Sequence, residues 1–129
     1  MHLHHTTPTV AQLTALRNYP PDQPVVMVNI IKYQKETAEG ESGETIYQRY
    51  LQNALPLIQK AGARLVWRGE VGQTVIGEEE GQPDAIFLVE YPSIQHFMEM
   101  ISSEEYQKIA KDRGMALEYG GLMACKTTT

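Results

Sequence analysis

Three polar side chains interrupt stretches that are otherwise apolar, and their residue types could act together. Asn29 lies within Val25-Val26-Met27-Val28-Asn29-Ile30-Ile31, Arg68 follows Leu65-Val66-Trp67, and Glu90 follows Ile86-Phe87-Leu88-Val89. Side chains alternate faces along a strand. Asn29 therefore shares a face with Val25, Met27, Ile31 and Tyr33, Arg68 with Arg64, Val66 and Glu70, and Glu90 with Ile86 and Leu88. If the Glu90 strand lies between the other two, all three groups can converge on one side of a sheet. A guanidinium, a carboxylate and an amide in a closed space would hold a small polar or anionic molecule. Arg68 would anchor it, Asn29 would add an amide contact, and Glu90 would serve as general base. The competing reading pairs Arg68 with Glu90 across strands merely to satisfy both charges.

Further candidates lie on helical faces. Arg113 is the odd member of the stripe Tyr106, Ile109, Ala110 and Leu117, and it can join the site at the sheet margin. Tyr47, Tyr50 and Tyr106 also fall on apolar stripes, where core packing is the default and contact with a ligand the alternative. His96 reads as a helix-surface residue. Trp67, next to Arg68, should point toward the helices if Arg68 points away from them. His2, His4 and His5 have no carboxylate or thiol nearby to complete a metal shell, so no metal site is expected. No Ser/His/Asp set, Cys/His pair or glycine-rich phosphate loop is present, and no cofactor is expected.

These residues need elements to position them. Thr9-Val10-Ala11-Gln12 has the form of a capping box and starts a short helix that must end before Pro20-Pro21. Val25 to Gln34 predicts a central strand, and Lys35 to Glu44 a charged loop. From Thr45, Tyr47, Tyr50, Leu51, Ala54, Ile58 and Ala61 recur at helical spacing, with Pro56 expected to kink the helix and Gly62 to end it. Arg64 to Val71 predicts a strand, bulged or bent at Gly72 and continuing through Gln73 to Ile76. Asp84 to Tyr91 predicts another. Ser93 caps a helix carrying Ile94, Phe97, Met98 and Ile101, and Ser102-Ser103-Glu104-Glu105 opens a second one. Gly120-Gly121 should stop that helix before a last strand from Leu122 to Lys126.

The chain has 129 residues, enough for one domain with its own core, read as an N-terminal extension (1–23) and a main domain (24–129). A net charge of −5 argues against a nucleic-acid partner. The longest apolar run is too short to span a bilayer, so no membrane partner is expected. Met1-His2-Leu3-His4-His5 lacks the features of a secretory signal, and Cys125 stands alone; both suggest the cytoplasm. The element order follows the split β-α-β scheme, which covers only one face of its antiparallel sheet and leaves the other for an identical sheet.

Several segments also carry a resemblance. These are Pro24 through Tyr33, Gly43 with Tyr47 and Tyr50, Gly62, Trp67-Arg68-Gly69, Val89-Glu90-Tyr91-Pro92-Ser93, Tyr106 and Arg113. In this order they resemble domain-of-unknown-function family 1330, in the dimeric α+β barrel group. The resemblance implies a ferredoxin-like α+β protomer and a homodimer with facing sheets. Related groups include cofactor-free monooxygenases, lactone isomerases, haem-degrading enzymes and stress-responsive binding domains. Fold alone does not choose among them. The expectation is a small-molecule-binding dimer, with a cofactor-independent monooxygenase- or isomerase-like enzyme as its catalytic form. The rival is a non-catalytic stress or assembly domain whose interior serves only as a dimer interface.

Overall fold

The computed structural model describes residues 6–128, so His2, His4 and His5 lie outside the described residues. The order of elements is α1 (Val10–Leu16), β1 (Val25–Tyr33), α2 (Gly43–Lys60), β2 (Arg64–Glu70), β3 (Ala85–Tyr91), α3 (Ile94–Ser102), α4 (Glu104–Ala116) and β4 (Leu117–Cys125). The four strands form one antiparallel sheet in the order β2-β3-β1-β4. This is the expected ferredoxin-like α+β arrangement with an extra N-terminal helix, and the Glu90 strand does lie between the other two.

Local chemistry explains most boundaries. The Thr9 hydroxyl accepts from the Gln12 N–H at 3.1 Å while the Gln12 side chain accepts from the Thr9 N–H at 2.9 Å, closing the capping box that starts α1. Helix α2 begins earlier than expected, because Ser42 rather than Thr45 is the cap: its Oγ accepts from the Thr45 N–H at 3.2 Å. The helix continues through Pro56 and ends at Gly62, whose φ of +83° suits a residue without a Cβ. The cap of α4 is Ser103, one residue later than the sequence suggested.

Two predicted strands differ from those observed. Gln73 to Ile76 is loop, because the β2–β3 ladder ends at Glu70 opposite Ala85 and no strand remains for the next residues to pair with. Val75 and Ile76 are consequently 85% and 94% exposed. At the other end, Gly120 and Gly121 do not stop α4. They lie inside β4, which begins at Leu117 and pairs with β1 along its length.

The core lies between the sheet and the helices. Val25, Met27, Ile31, Phe87, Val89 and Tyr91 on the sheet meet Ile46, Tyr47, Tyr50, Ala54 and Ile58 from α2, with Ile94, Phe97 and Met100 from α3 and Ala116 ending α4. Alternation along β1 and β3 is regular, one residue buried and the next only half-buried. The half-buried set faces away from the helices. No described helix is long and apolar enough to cross a membrane.

Candidate functional site

Directly paired residues on antiparallel strands point to the same face, so the registers sort the polar groups. Asn29 pairs with Leu122 on one side and Phe87 on the other, and Phe87 pairs with Arg68. Leu122, Asn29, Phe87 and Arg68 thus form one row across all four strands. Phe87 belongs to the core, so this row lies on the helix side of the sheet, with its two ends, Leu122 and Arg68, exposed beyond the helices. Simple alternation from Arg64 would have put Arg68 on the opposite face. A register shift between Leu65 and Trp67 inserts one extra residue into β2 and reverses the faces beyond it.

Asn29 is only 8% exposed. Its amide nitrogen donates to the Met27 carbonyl at 3.3 Å and, at 3.5 Å, to that of Phe87. Both contacts are long, and among the described residues its side-chain oxygen accepts nothing. That oxygen is not sealed from solvent, so its free bonding capacity carries no burial cost.

Around this row stands a group of tyrosines. The Tyr47 ring lies 5.8 Å from that of Tyr33, 5.4 Å from Tyr50 and 6.4 Å from Phe87, and Tyr50 meets Tyr106 edge-on at 6.2 Å. The Tyr50 and Tyr106 hydroxyls hydrogen-bond at 2.8 Å. Tyr47 differs: it is 2% exposed and its buried hydroxyl has no partner among the described residues. Desolvation is the main cause that raises the Tyr47 and Tyr50 pKa values, so both phenols stay protonated at neutral pH. Tyr33, half-buried at the end of β1, is also raised, first by desolvation and then by Glu44, with Arg68 opposing and Asp84 and Glu70 adding to the rise. The Arg68 charge thus acts on the Tyr33 phenol, which strand parity put on the face of Asn29 but not among the expected site residues.

Arg113 enters from α4. It donates to the Thr6 carbonyl at 2.8 Å and to the Gly120 carbonyl at 3.1 Å, and among the described residues no carboxylate pairs with it. Its seat needs a glycine, since a Cβ at Gly120 would come within 3.1 Å of the guanidinium and closer still to Leu117. A glycine inside a strand often marks such a close approach, but in sequence Gly120 read as a helix stop ahead of the strand. Arg113 is also the charge acting most strongly on Tyr47. The Tyr47 hydroxyl makes no hydrogen bond of its own among the described residues.

Glu90 does not join this group. It pairs with Val26 and Arg64, on the face away from the helices, and accepts from Arg64 Nε at 3.1 Å. The expected convergence of Asn29, Arg68 and Glu90 is therefore corrected: two share the covered face and the third lies behind the sheet. Its ionic partner is Arg64, not Arg68. Trp67 is likewise reversed, standing 54% exposed on the open face with its ring laid over Gly69. Val25, Met27 and Ile31, which share the face of Asn29, are covered by the protein's own helices and not left for a partner sheet.

The open face is apolar along its middle. Met123, Val28, Leu88 and Trp67 form a row across the four strands, flanked by Ile30 and Ile86. Elsewhere, His96 takes part in a helix cap, its Nδ1 2.7 Å from Ser93 Oγ. Among the described residues no group of His, Cys, Asp and Glu could hold a metal ion.

The profile of a family described as a domain of unknown function (DUF1330) matches residues 33–124. The chain belongs to that family. No curated protein matches it by sequence. The solved structure of RPA0582, a protein of unknown function from Rhodopseudomonas palustris, is 27% identical, with a TM-score of 0.93 over 98% of this chain and 99% of that one. Hydroxynitrile lyase from Passiflora edulis is 12% identical, with a TM-score of 0.60 over 81% of this chain and 94% of its own. A dimeric ferredoxin-like protein of unknown function from Bacteroides fragilis is 10% identical, with a TM-score of 0.57 over 84% of this chain and 100% of its own. The last two likenesses show a shared fold and no more.

Proposed function

We propose that the protein is a cytoplasmic homodimer that binds one small polar or aromatic molecule per protomer, between the sheet and the helices. The observation that carries this reading is the row through Asn29. Among the described residues the Asn29 amide has an acceptor that nothing engages and that is not sealed from solvent, and the exposed Arg68 guanidinium one strand beyond Phe87 lies on the same side of the sheet, while the open face offers an apolar strip. Polar groups with spare bonds suit a ligand; the strip suits a second sheet. A free thiol at Cys125 fits a reducing compartment.

In this reading Asn29, Tyr47 and Arg113 contact the ligand and Arg68 guards the entrance beside Tyr33. Tyr50 and Tyr106, satisfied by each other, form a wall. Glu90 belongs with Arg64 to the dimer interface and has no role as a base. Among the described residues no carboxylate is buried on the covered face, and Glu44, Asp84 and Glu70 act on half-buried Tyr33 at the end of β1, which favours binding, or polarisation of a ligand oxygen, over proton abstraction.

A thermal-shift screen against small oxygenated and aromatic metabolites, with light scattering on the same sample, tests both halves. The expected outcome is a dimer at micromolar concentration and a melting temperature that rises with ligand concentration. A monomer would remove the interface half. Ligand-induced shifts that survive Asn29→Leu unchanged would remove the site.

A further inference from the structure

The loop between β2 and β3 is firmly built, yet its tip carries two bare aliphatic side chains. Its base extends the sheet: the Val71 N–H donates to the Asp84 carbonyl at 3.0 Å, the Asp84 N–H to the Ile31 carbonyl at 2.7 Å, and the Tyr33 N–H to the Asp84 carboxylate at 2.8 Å. Gln82 then joins the two limbs. Its side-chain oxygen accepts from the Thr74 hydroxyl at 2.6 Å, and its carbonyl accepts from Lys32 Nζ at 3.0 Å. Lys32 lies two residues beyond Ile30 on β1 and pairs with Tyr119, so it stands on the open side of the sheet, and the bonds through Gln82 hold the loop at the rim of that face. Gly77 and Gly81, at φ of +130° and +83°, turn the chain at the tip. Val75 and Ile76, directly after Thr74, are almost fully exposed.

We propose that this loop is an interface arm, and that Val75 and Ile76 of each protomer pack on the sheet of a second copy of the chain. This rests on the homodimer in the reading above and adds an element that its interface needs. The open face consists of three rows of four residues, from Arg64 to Cys125, from Trp67 to Met123 and from Gly69 to Gly121, with Lys32 and Tyr119 beyond them. A stable interface engages roughly 20 to 30 residues a side. The strip by itself falls short, and the arm supplies further apolar surface at its rim. Each copy thus carries a flat strip and a projecting tip at one face, and a two-fold axis sets each tip against the other's sheet. Charge disfavours other occupants. Glu78, Glu79 and Glu80 follow the tip closely and the chain has a net charge of −5, which repels anionic lipid and nucleic acid. The two middle rows of a partner's open face carry no charge and accept an apolar tip while the three glutamates stay in water.

Analytical ultracentrifugation of the full-length protein, with Trp67 emission followed on dilution, tests this. Trp67 is the only tryptophan and lies on the open face, so its emission should move to longer wavelength as the dimer separates. Val75→Ala combined with Ile76→Ala should raise the dissociation constant about a hundredfold, because each dimer buries the pair twice. Ile76→Asp should raise it further. Both side chains are exposed in the protomer, so far-ultraviolet circular dichroism should match that of the parent. A dimer unchanged by these substitutions yet broken by Leu88→Glu would overturn the arm and leave the facing sheets standing. A parent protein that is monomeric at micromolar concentration would overturn both. Flotation with phosphatidylcholine vesicles covers the other occupant: binding lost in the alanine variant, with the dimer constant unchanged, would assign the tip to lipid and reject the proposal.

Discussion

The two faces of the sheet are built from the same strands but use polar residues in opposite ways. On the covered face, Asn29 and Tyr47 are almost wholly buried; among the described residues neither the Asn29 side-chain oxygen nor the Tyr47 hydroxyl has a partner, and of the two only the Tyr47 hydroxyl is sealed from solvent. On the open face, Glu90 and Arg64 satisfy each other at the sheet margin, and the middle is left to Val28, Leu88, Met123 and Trp67. An unsatisfied polar group in a core costs about 1 to 3 kcal/mol, so a fold keeps one mainly where something outside the chain can use it. An exposed apolar strip carries a different cost, which a matching surface removes. The contrast assigns ligand to one face and partner to the other.

The sharpest way to break this contrast is to place a charge in the apolar row. Leu88→Glu leaves the helix side untouched but would bury an unpaired carboxylate in any sheet-to-sheet contact, a loss on the order of 3 to 5 kcal/mol. Light scattering should show dissociation to monomers, while near-ultraviolet circular dichroism stays close to the parent spectrum. A dimer that withstands the change would mean that the open face is not the interface.

The covered face should respond to pH. Folding raises the pKa values of Tyr47, Tyr50 and Tyr91 above the ordinary phenol value of 10.0, mainly by desolvation. Above that value the unfolded chain releases phenolic protons that the native state retains, so the unfolded state binds fewer protons and stability falls with rising pH. The contribution is fully present below about pH 10 and is then lost by about 1.4 kcal/mol per pH unit for each such group. Denaturant titrations between pH 9 and 12 should show this decline, and it should be shallower in Tyr50→Phe. A flat profile would mean that these hydroxyls are accessible to water.

The smallest effect is expected at the charged margin of the open face. Glu90→Gln keeps the shape and weakens a largely exposed ion pair, so stability should change by less than about 1 kcal/mol and affinity for any covered-face ligand should not change at all. Chemical denaturation and calorimetric titration measure the two quantities. A large loss of affinity would return Glu90 to the site and defeat the division between faces.

Short-range features were legible in the sequence alone. The Thr9 capping box, the Ser93 cap, the apolar stripe of α2 and the alternation in β1 each depend on residues a few positions apart, and all four appear in the fold. The family resemblance and the order of elements implied the β2-β3-β1-β4 sheet. What only tertiary structure decided was the face on which each polar group stands. The extra residue in β2 between Leu65 and Trp67 is defined by the pairing of these two with Val89 and Leu88 of β3, far along the chain, and it carries Arg68 to the side of Asn29 and Trp67 to the side of Glu90. Parity within one strand cannot reveal a bulge, because a bulge is a mismatch between two strands. For the same reason the docking of Arg113 on β4 was hidden: it lies on α4, and the room for its guanidinium comes from a glycine in β4 that looked, in sequence, like the end of a helix.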